Sequence, residues 1–176
     1  KFKGRIYPGD EFLTNYPGDG AVHLPDWVFV RPIFYKGELV FFTCMGTHVA
    51  DSGGGHAGSH FLAYDSIAEA LNIPLVKVVE KGEQNDDVLE LILANNRLPD
   101  MMRREIASLM GSTSVAERRM VELLDKYGKE TVYACIDEMI IRTEKAVRAE
   151  IAKWPEGTYT TEVKTDDDGK TMGVPV

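Results

Sequence analysis

Four side chains able to bind a cation or move a proton, His23, Asp26, His48 and Asp51, flank two apolar runs with the composition of a β-hairpin. Residues 27–34 (WVFVRPIF) and 39–45 (LVFFTCM) are rich in β-branched and aromatic side chains. Between them, Tyr35-Lys36-Gly37-Glu38 is a short polar turn containing a glycine. Folding about Lys36-Gly37 sets residue 26 opposite roughly residue 47, and facing residues of an antiparallel ladder lie about 4.5–5.5 Å apart at Cα. His23 and Asp26, entering the first strand, are thereby expected to meet His48 and Asp51, leaving the second. Two imidazoles and two carboxylates at one hairpin mouth suit a divalent cation such as zinc or manganese.

The local chain must bend for this to work. Residues three apart on a regular strand point to opposite faces, so His23 and Asp26 converge only if Pro25 makes the stretch a bent entry loop. The plainer alternative is that His23 and Asp26 hydrogen-bond each other or a turn backbone. Downstream of His48, Gly53-Gly54-Gly55 can approach a ligand closely and adopt positive φ. That loop lacks the Lys-Ser/Thr ending of a nucleotide-binding P-loop, and reads instead as a flexible wall of a small-molecule site. Residues Asn15–Gly20 read as a pocket rim. His56 and His60 read as ordinary solvated or hydrogen-bonded histidines, and Asp166-Asp167-Asp168-Gly169 as a solvated turn.

The elements around these residues give an α+β reading. Residues 1–64 are strand- and loop-rich and hold the candidate site; 65–153 read as helical; 154–176 read as a short C-terminal hairpin. Within the middle part the pattern predicts a short helix at 65–71, a strand over 75–79 and a turn at Lys81-Gly82. Asp87-Val88-Leu89-Glu90 offers a capping box ahead of a helix reaching Asn95. Met102, Ile106, Leu109 and Met110 follow helical spacing, and a separate helix is expected from Ser114 to a stop at Gly128. The last helix, about 129–153, is expected to be the longest, with Val132, Ile136, Met139, Ile140, Thr143, Val147 and Ile151 on one stripe. Met101, Met102, Met110, Met120 and Met139 are read as core residues on helix faces.

Composition narrows the class. The formal net charge of -8 and the absence of a basic stripe argue against a nucleic-acid surface. No apolar run approaches the ~20 residues of a membrane span, and the first residues (KFKGRIYPGDEF) contain no signal-peptide core. Cys44 and Cys135 are expected to be buried free thiols in a cytoplasmic protein rather than a disulfide. The opening in mid-pattern suggests one continuous unit cut from a longer subunit.

An ordered set of short motifs then points to a family. Gly9-Asp10-Glu11-Phe12-Leu13-Thr14-Asn15, Pro17, His23-Leu24-Pro25-Asp26, residues 32–40 and His48-Val49-Ala50-Asp51-Ser52-Gly53-Gly54 resemble the hydantoinase B/oxoprolinase family. Leu91-Ile92-Leu93-Ala94-Asn95-Asn96-Arg97, Glu117-Arg118-Arg119 and Pro155-Glu156-Gly157-Thr158-Tyr159 extend the resemblance over nearly the whole chain. The resemblance implies a divalent metal, manganese or zinc, held by His23, Asp26 and His48, with a further acidic ligand upstream of this chain. It leaves Asp51 as a residue that orients His48 by a hydrogen bond. It implies a fragment of a hydantoinase B-type catalytic subunit that hydrolyses a cyclic amide: a hydantoin, oxoproline or a lactam. ATP would be used by an ATP-binding hydantoinase A-type partner subunit in a hetero-oligomer, so the isolated fragment is expected to be inactive. A ketone carboxylase subunit, acting on acetone or acetophenone, is the alternative implication, and a non-catalytic assembly domain with an incomplete site is the second. Tyr16, Gly18 and Ala21-Val22 depart from residues common in the family, so the loop facing the substrate is rewritten while the metal positions are kept.

Overall fold

The structure is a computed structural model that describes residues 1–58, 63 and 65–163. The chain divides into two compact units, Lys1–Glu122 and Leu123–Val176.

The first unit is built on a sheet of five antiparallel strands in the order β3-β2-β1-β4-β5. Its strands are β1 (Glu11–Thr14), β2 (Asp26–Tyr35), β3 (Glu38–His48), β4 (Val76–Glu80) and β5 (Glu83–Gln84). The β2–β3 hairpin forms as its sequence suggests, closed by a two-residue turn in which Lys36 and Gly37 have φ of 51° and 84°. Positive φ at both turn residues matches the right-handed twist of the strands. Lys81 and Gly82 repeat the device between β4 and β5, with φ of 52° and 87°. Trp27, Phe29 and Ile33 alternate inward along β2 and are buried with Leu13 of β1 and Val78 of β4.

Helices cover that face. α2 (Asp86–Leu93) contributes Leu89, Ile92 and Leu93, and the first half of α3 (Pro99–Tyr127) contributes Met102, Ile106 and Leu109 to the same apolar cluster. Burying a side chain of this size stabilises by roughly 1.5–3 kcal/mol, so this cluster decides which face of the sheet is inside. Arg31, on the inward face of β2, is the exception to its apolar character. Its guanidinium lies 2.5 Å from the fully buried Glu11 carboxylate and 3.4 Å from Glu117 of α3. The Thr113 hydroxyl of α3 also donates to Glu11. Burial pushes the Glu11 carboxyl above its ordinary range, and the Thr113 and Arg31 contacts pull it partly back.

Several sequence expectations need correction. α2 is capped by Asn85, whose side-chain oxygen accepts from the Val88 N–H, and the helix begins before the expected Asp87–Glu90 box. No new helix starts at Ser114: α3 runs unbroken through Gly111-Ser112-Thr113-Ser114. The Ser112 hydroxyl donates to the Ser108 carbonyl, and that of Thr113 donates to Glu11 across the packed face while lying beside the Met110 carbonyl, so the side chains have partners with the helix intact. At 29 residues α3 is also longer than α4 (Lys129–Ile151), which has 23.

In the second unit α4 begins after Gly128, the expected stop, at φ 82°. Its stripe is not a core: Val132 is buried, but Met139, Ile140, Val147 and Ile151 are more than half exposed. Cys44 and Cys135 are free as expected, but exposed rather than buried. Residues 158–163 carry no strand, and the rest of the expected C-terminal hairpin, with Asp166–Gly169, lies outside the described residues. Among the described residues no helix is long and apolar enough to cross a membrane.

Candidate metal centre

Three backbone features bring His23, Asp26 and His48 together. The Asp26 N–H donates to the His23 carbonyl at 2.9 Å, so His23-Leu24-Pro25-Asp26 is a hydrogen-bonded turn and not a strand. The next bond, from the Val49 N–H to the Pro25 carbonyl at 2.9 Å, ties that turn to the end of β3. The third feature is a β-bulge. Ile33 faces Phe41 while Phe34 faces Leu39, so Val40 is an extra residue on β3 and every later pairing moves by one. Asp26 therefore faces His48, where simple folding about the turn would have set it opposite Thr47.

The side chains converge on one carboxylate oxygen. Asp26 Oδ1 lies 3.1 Å from His23 Nε2 and 3.2 Å from His48 Nδ1, and the imidazole rings are 5.0 Å apart at their centroids. Ligand-capable atoms of the three residues all fall within 4.8 Å of one another, and no other such group occurs among the described residues. Donor atoms about 2.1 Å from a shared tetrahedral ion stand on the order of 3.4 Å apart, so the two spacings to Asp26 and the N,N,O donor set are those of residues that could hold a divalent transition ion. The same distances also serve a carboxylate hydrogen-bonded between two imidazoles. Asp26 and His48 line a cleft of about 320 Å³ whose other walls are Gly20, Ala21, Val22, Val28, Gly46 and Thr47.

Asp51 has a different place from the one expected. Its carboxylate is fully buried and accepts from the Gly53 N–H at 3.1 Å, the Arg97 N–H at 2.5 Å and the Arg97 guanidinium at 3.1 Å. The carboxylate beside His48 Nδ1 is that of Asp26. Arg97 also donates to the carbonyls of Gly53 and Gly54, at 3.4 and 2.8 Å. The glycine loop is thus a tied segment rather than a loose wall. His56 lies exposed beyond it, and His60 is outside the described residues.

Two residues that spacing could not reveal complete the surroundings. Asn15, read as rim, is fully buried, and its amide donates to the carbonyls of Leu24 and Leu71 at 2.7 and 2.6 Å. Its oxygen accepts from the Ile73 N–H at 2.7 Å. Glu69, at the end of α1 (Ser66–Glu69), sets Oε1 3.6 Å from His23 Nδ1. No periodic pattern or motif marks Glu69, because only the tertiary fold brings it to the histidine.

Comparison with known proteins gives the relationship. The sequence profile described as hydantoinase B/oxoprolinase matches residues 1–176. The beta chain of the caprolactamase of Pseudomonas jessenii is 36% identical over 173 residues, covering 98% of this chain and 30% of that protein. The B component of a putative D-/L-hydantoinase of Pseudomonas sp. (strain NS671) is 35% identical over 156 residues, covering 88% and 26%. Among solved structures, the ATP-dependent caprolactamase from Pseudomonas jessenii superposes with a TM-score of 0.89 at 36% identity, covering 98% of this chain and 30% of that one. The chain therefore spans less than a third of the length of these relatives.

Proposed function

This chain belongs to the hydantoinase B/oxoprolinase family, and from that premise we propose that it carries the metal-holding part of a B-type subunit in an ATP-dependent enzyme that opens a cyclic amide. The observation that carries the reading is the convergence of His23, Asp26 and His48 on one another, with Asp26 and His48 lining a cleft. The names of the relatives, a caprolactamase and a hydantoinase, favour a lactam or hydantoin ring as the substrate. ATP is assigned to an A-type partner subunit.

His23 and His48 offer neutral ring nitrogens, and Asp26 a carboxylate set between them. A divalent cation, manganese or zinc, would supply Lewis acidity toward a carbonyl oxygen when bound there. Ala21, Val22 and Val28 give the cleft apolar walls, which suit the hydrocarbon part of a small ring. Asp26 Oδ1 stands within hydrogen-bond reach of both imidazoles.

The test has two parts. Purified protein is expected to take up zinc or manganese, and His23→Ala and His48→Ala are expected to abolish that uptake while the fold survives, as read by elemental analysis and circular dichroism. Uptake unchanged in both variants would rule out the assigned ligands. The full-length subunit with its ATP-binding partner is then offered hydantoins, lactams, acetone and acetophenone, with and without bicarbonate. ATP-coupled ring opening is expected; bicarbonate-dependent carboxylation of a ketone would overturn the hydrolase reading.

A further inference from the structure

We propose that Glu69 is the positioning residue for His23: its carboxylate accepts a hydrogen bond from Nδ1–H when Nε2 is given to a divalent cation. This rests on the metal reading above and adds a residue to it. The His23 ring stands between two carboxylates, with Nε2 3.1 Å from Asp26 Oδ1 and Nδ1 3.6 Å from Glu69 Oε1. A neutral imidazole carries one proton and one lone pair, so an ion at Nε2 requires the proton at Nδ1. The carboxylate on that side is Glu69. At 3.6 Å the contact is of ion-pair length and not yet a hydrogen bond. A small turn of the ring toward the cation site or of the partly exposed carboxylate closes it.

The surrounding backbone makes this approach a built feature. Asn15 ties the residue after His23 to the segment after Glu69, through the carbonyls of Leu24 and Leu71. The glycine loop supports the same segment from its other side, by Gly55 N–H to the Ala68 carbonyl at 2.8 Å and Leu71 N–H to the Ser52 carbonyl at 2.7 Å. Gly54 lies so close that a Cβ there would collide with the Glu69 carbonyl oxygen, at a φ of +71°. Asp65 caps the short helix by accepting from the Ala68 N–H at 2.8 Å. Glu69 is thus held from three directions against the loop that carries His23. Outer carboxylates of this kind fix the tautomer and aim of a ligand histidine, and their loss typically weakens metal binding about 10–100-fold.

The test uses the chain itself with zinc. Zinc affinity is measured by competition against a chromophoric chelator for the unsubstituted chain, Glu69→Gln, Glu69→Asp and Gly54→Ala. Glu69→Gln is expected to weaken binding about 10-fold or more, Glu69→Asp to restore part of the loss, and Gly54→Ala to weaken binding with the carboxylate still present. Nitrogen-15 shifts of the zinc-loaded histidine rings supply a readout that a purely structural role would not move. His23 is expected to show a protonated Nδ1 whose resonance shifts in Glu69→Gln. Equal zinc affinity in Glu69→Gln, or a His23 protonated at Nε2 in the loaded protein, would overturn the assignment of Glu69 while leaving the metal reading intact. No zinc binding by the unsubstituted chain would overturn both.

Discussion

Asp26 and Asp51 show how little a carboxylate's sequence position says about its work. Both follow a histidine by three residues, yet Asp26 is partly exposed between two imidazoles and Asp51 is sealed beneath the glycine loop. Asp51 lies next to Arg97 because the chain leaving α2 passes beneath the loop, and that contact fixes the loop that in turn supports Glu69. Arg97→Ala should therefore act at a distance from the histidines. Removing the guanidinium leaves a buried carboxylate short of one charged partner, at a cost of about 1–3 kcal/mol. Urea unfolding is expected to show that loss, and zinc affinity to fall with it. Unchanged stability would mean that the loop is held by its backbone bonds alone.

Among the elements, β2, β1 and α3 share one device separate from the rest of the core. Arg31 and Glu11 meet on the inner face of the sheet, and Thr113 and Glu117 bring α3 onto them. Breaking a buried pair by removing one partner typically costs about 3–5 kcal/mol, because the other charge stays behind. Arg31→Met is expected to destabilise the chain by that order, measured by urea unfolding near neutral pH. A raised Glu11 pKa means that the folded chain binds this proton more tightly than the unfolded one. The stability it contributes is fully present below the ordinary carboxylate value of 4.5 and is lost as pH rises through the folded value. The stability of the unsubstituted chain relative to Glu11→Gln should accordingly fall as pH rises above 4.5. A difference that grows with pH would show that Arg31 outweighs burial. The α3 correction has its reason in the same contacts: Gly111-Ser112-Thr113-Ser114 resembles a helix break by composition, but Thr113 is held by Glu11 and by the helix itself.

At the scale of the chain, the five-stranded sheet of the first unit and the helices packed on it agree with the α+β reading. The acidic surface is partly self-compensated. Along α4, Glu138 pairs with Arg142 at 2.6 Å and Glu144 with Arg148 at 2.7 Å, one helical turn apart. Each such pair supports an exposed helix by roughly 0.2–0.5 kcal/mol. That helps α4 persist with most of its apolar stripe open to solvent. The chain spans 30% of the caprolactamase beta chain, and the proposed division of labour places nucleotide chemistry in another subunit. This chain alone is expected to hydrolyse no ATP. A coupled assay showing turnover above background, abolished by no substitution at the histidines, would contradict that division.

Sequence was sufficient for the β2–β3 hairpin, its Lys36-Gly37 turn, the stop at Gly128 and the family. Each of these is a local property: strand composition, a residue that tolerates positive φ, or an ordered set of short motifs. It was also sufficient to nominate His23, Asp26 and His48, since a hairpin brings its two ends together whatever the rest of the chain does. The precise facing of Asp26 and His48 was not legible, because it depends on a bulge at Val40 that the hydrophobic pattern does not mark. Asn15, Glu69 and Arg97 were not legible either. Their partners lie far away in the chain, and a buried amide or a carboxylate becomes a clamp or a positioning group only when packing sets a distant partner within hydrogen-bond or ion-pair reach of it. Packing likewise separated the inward stripe of α3 from the outward stripe of α4, two patterns whose helical periodicity is the same.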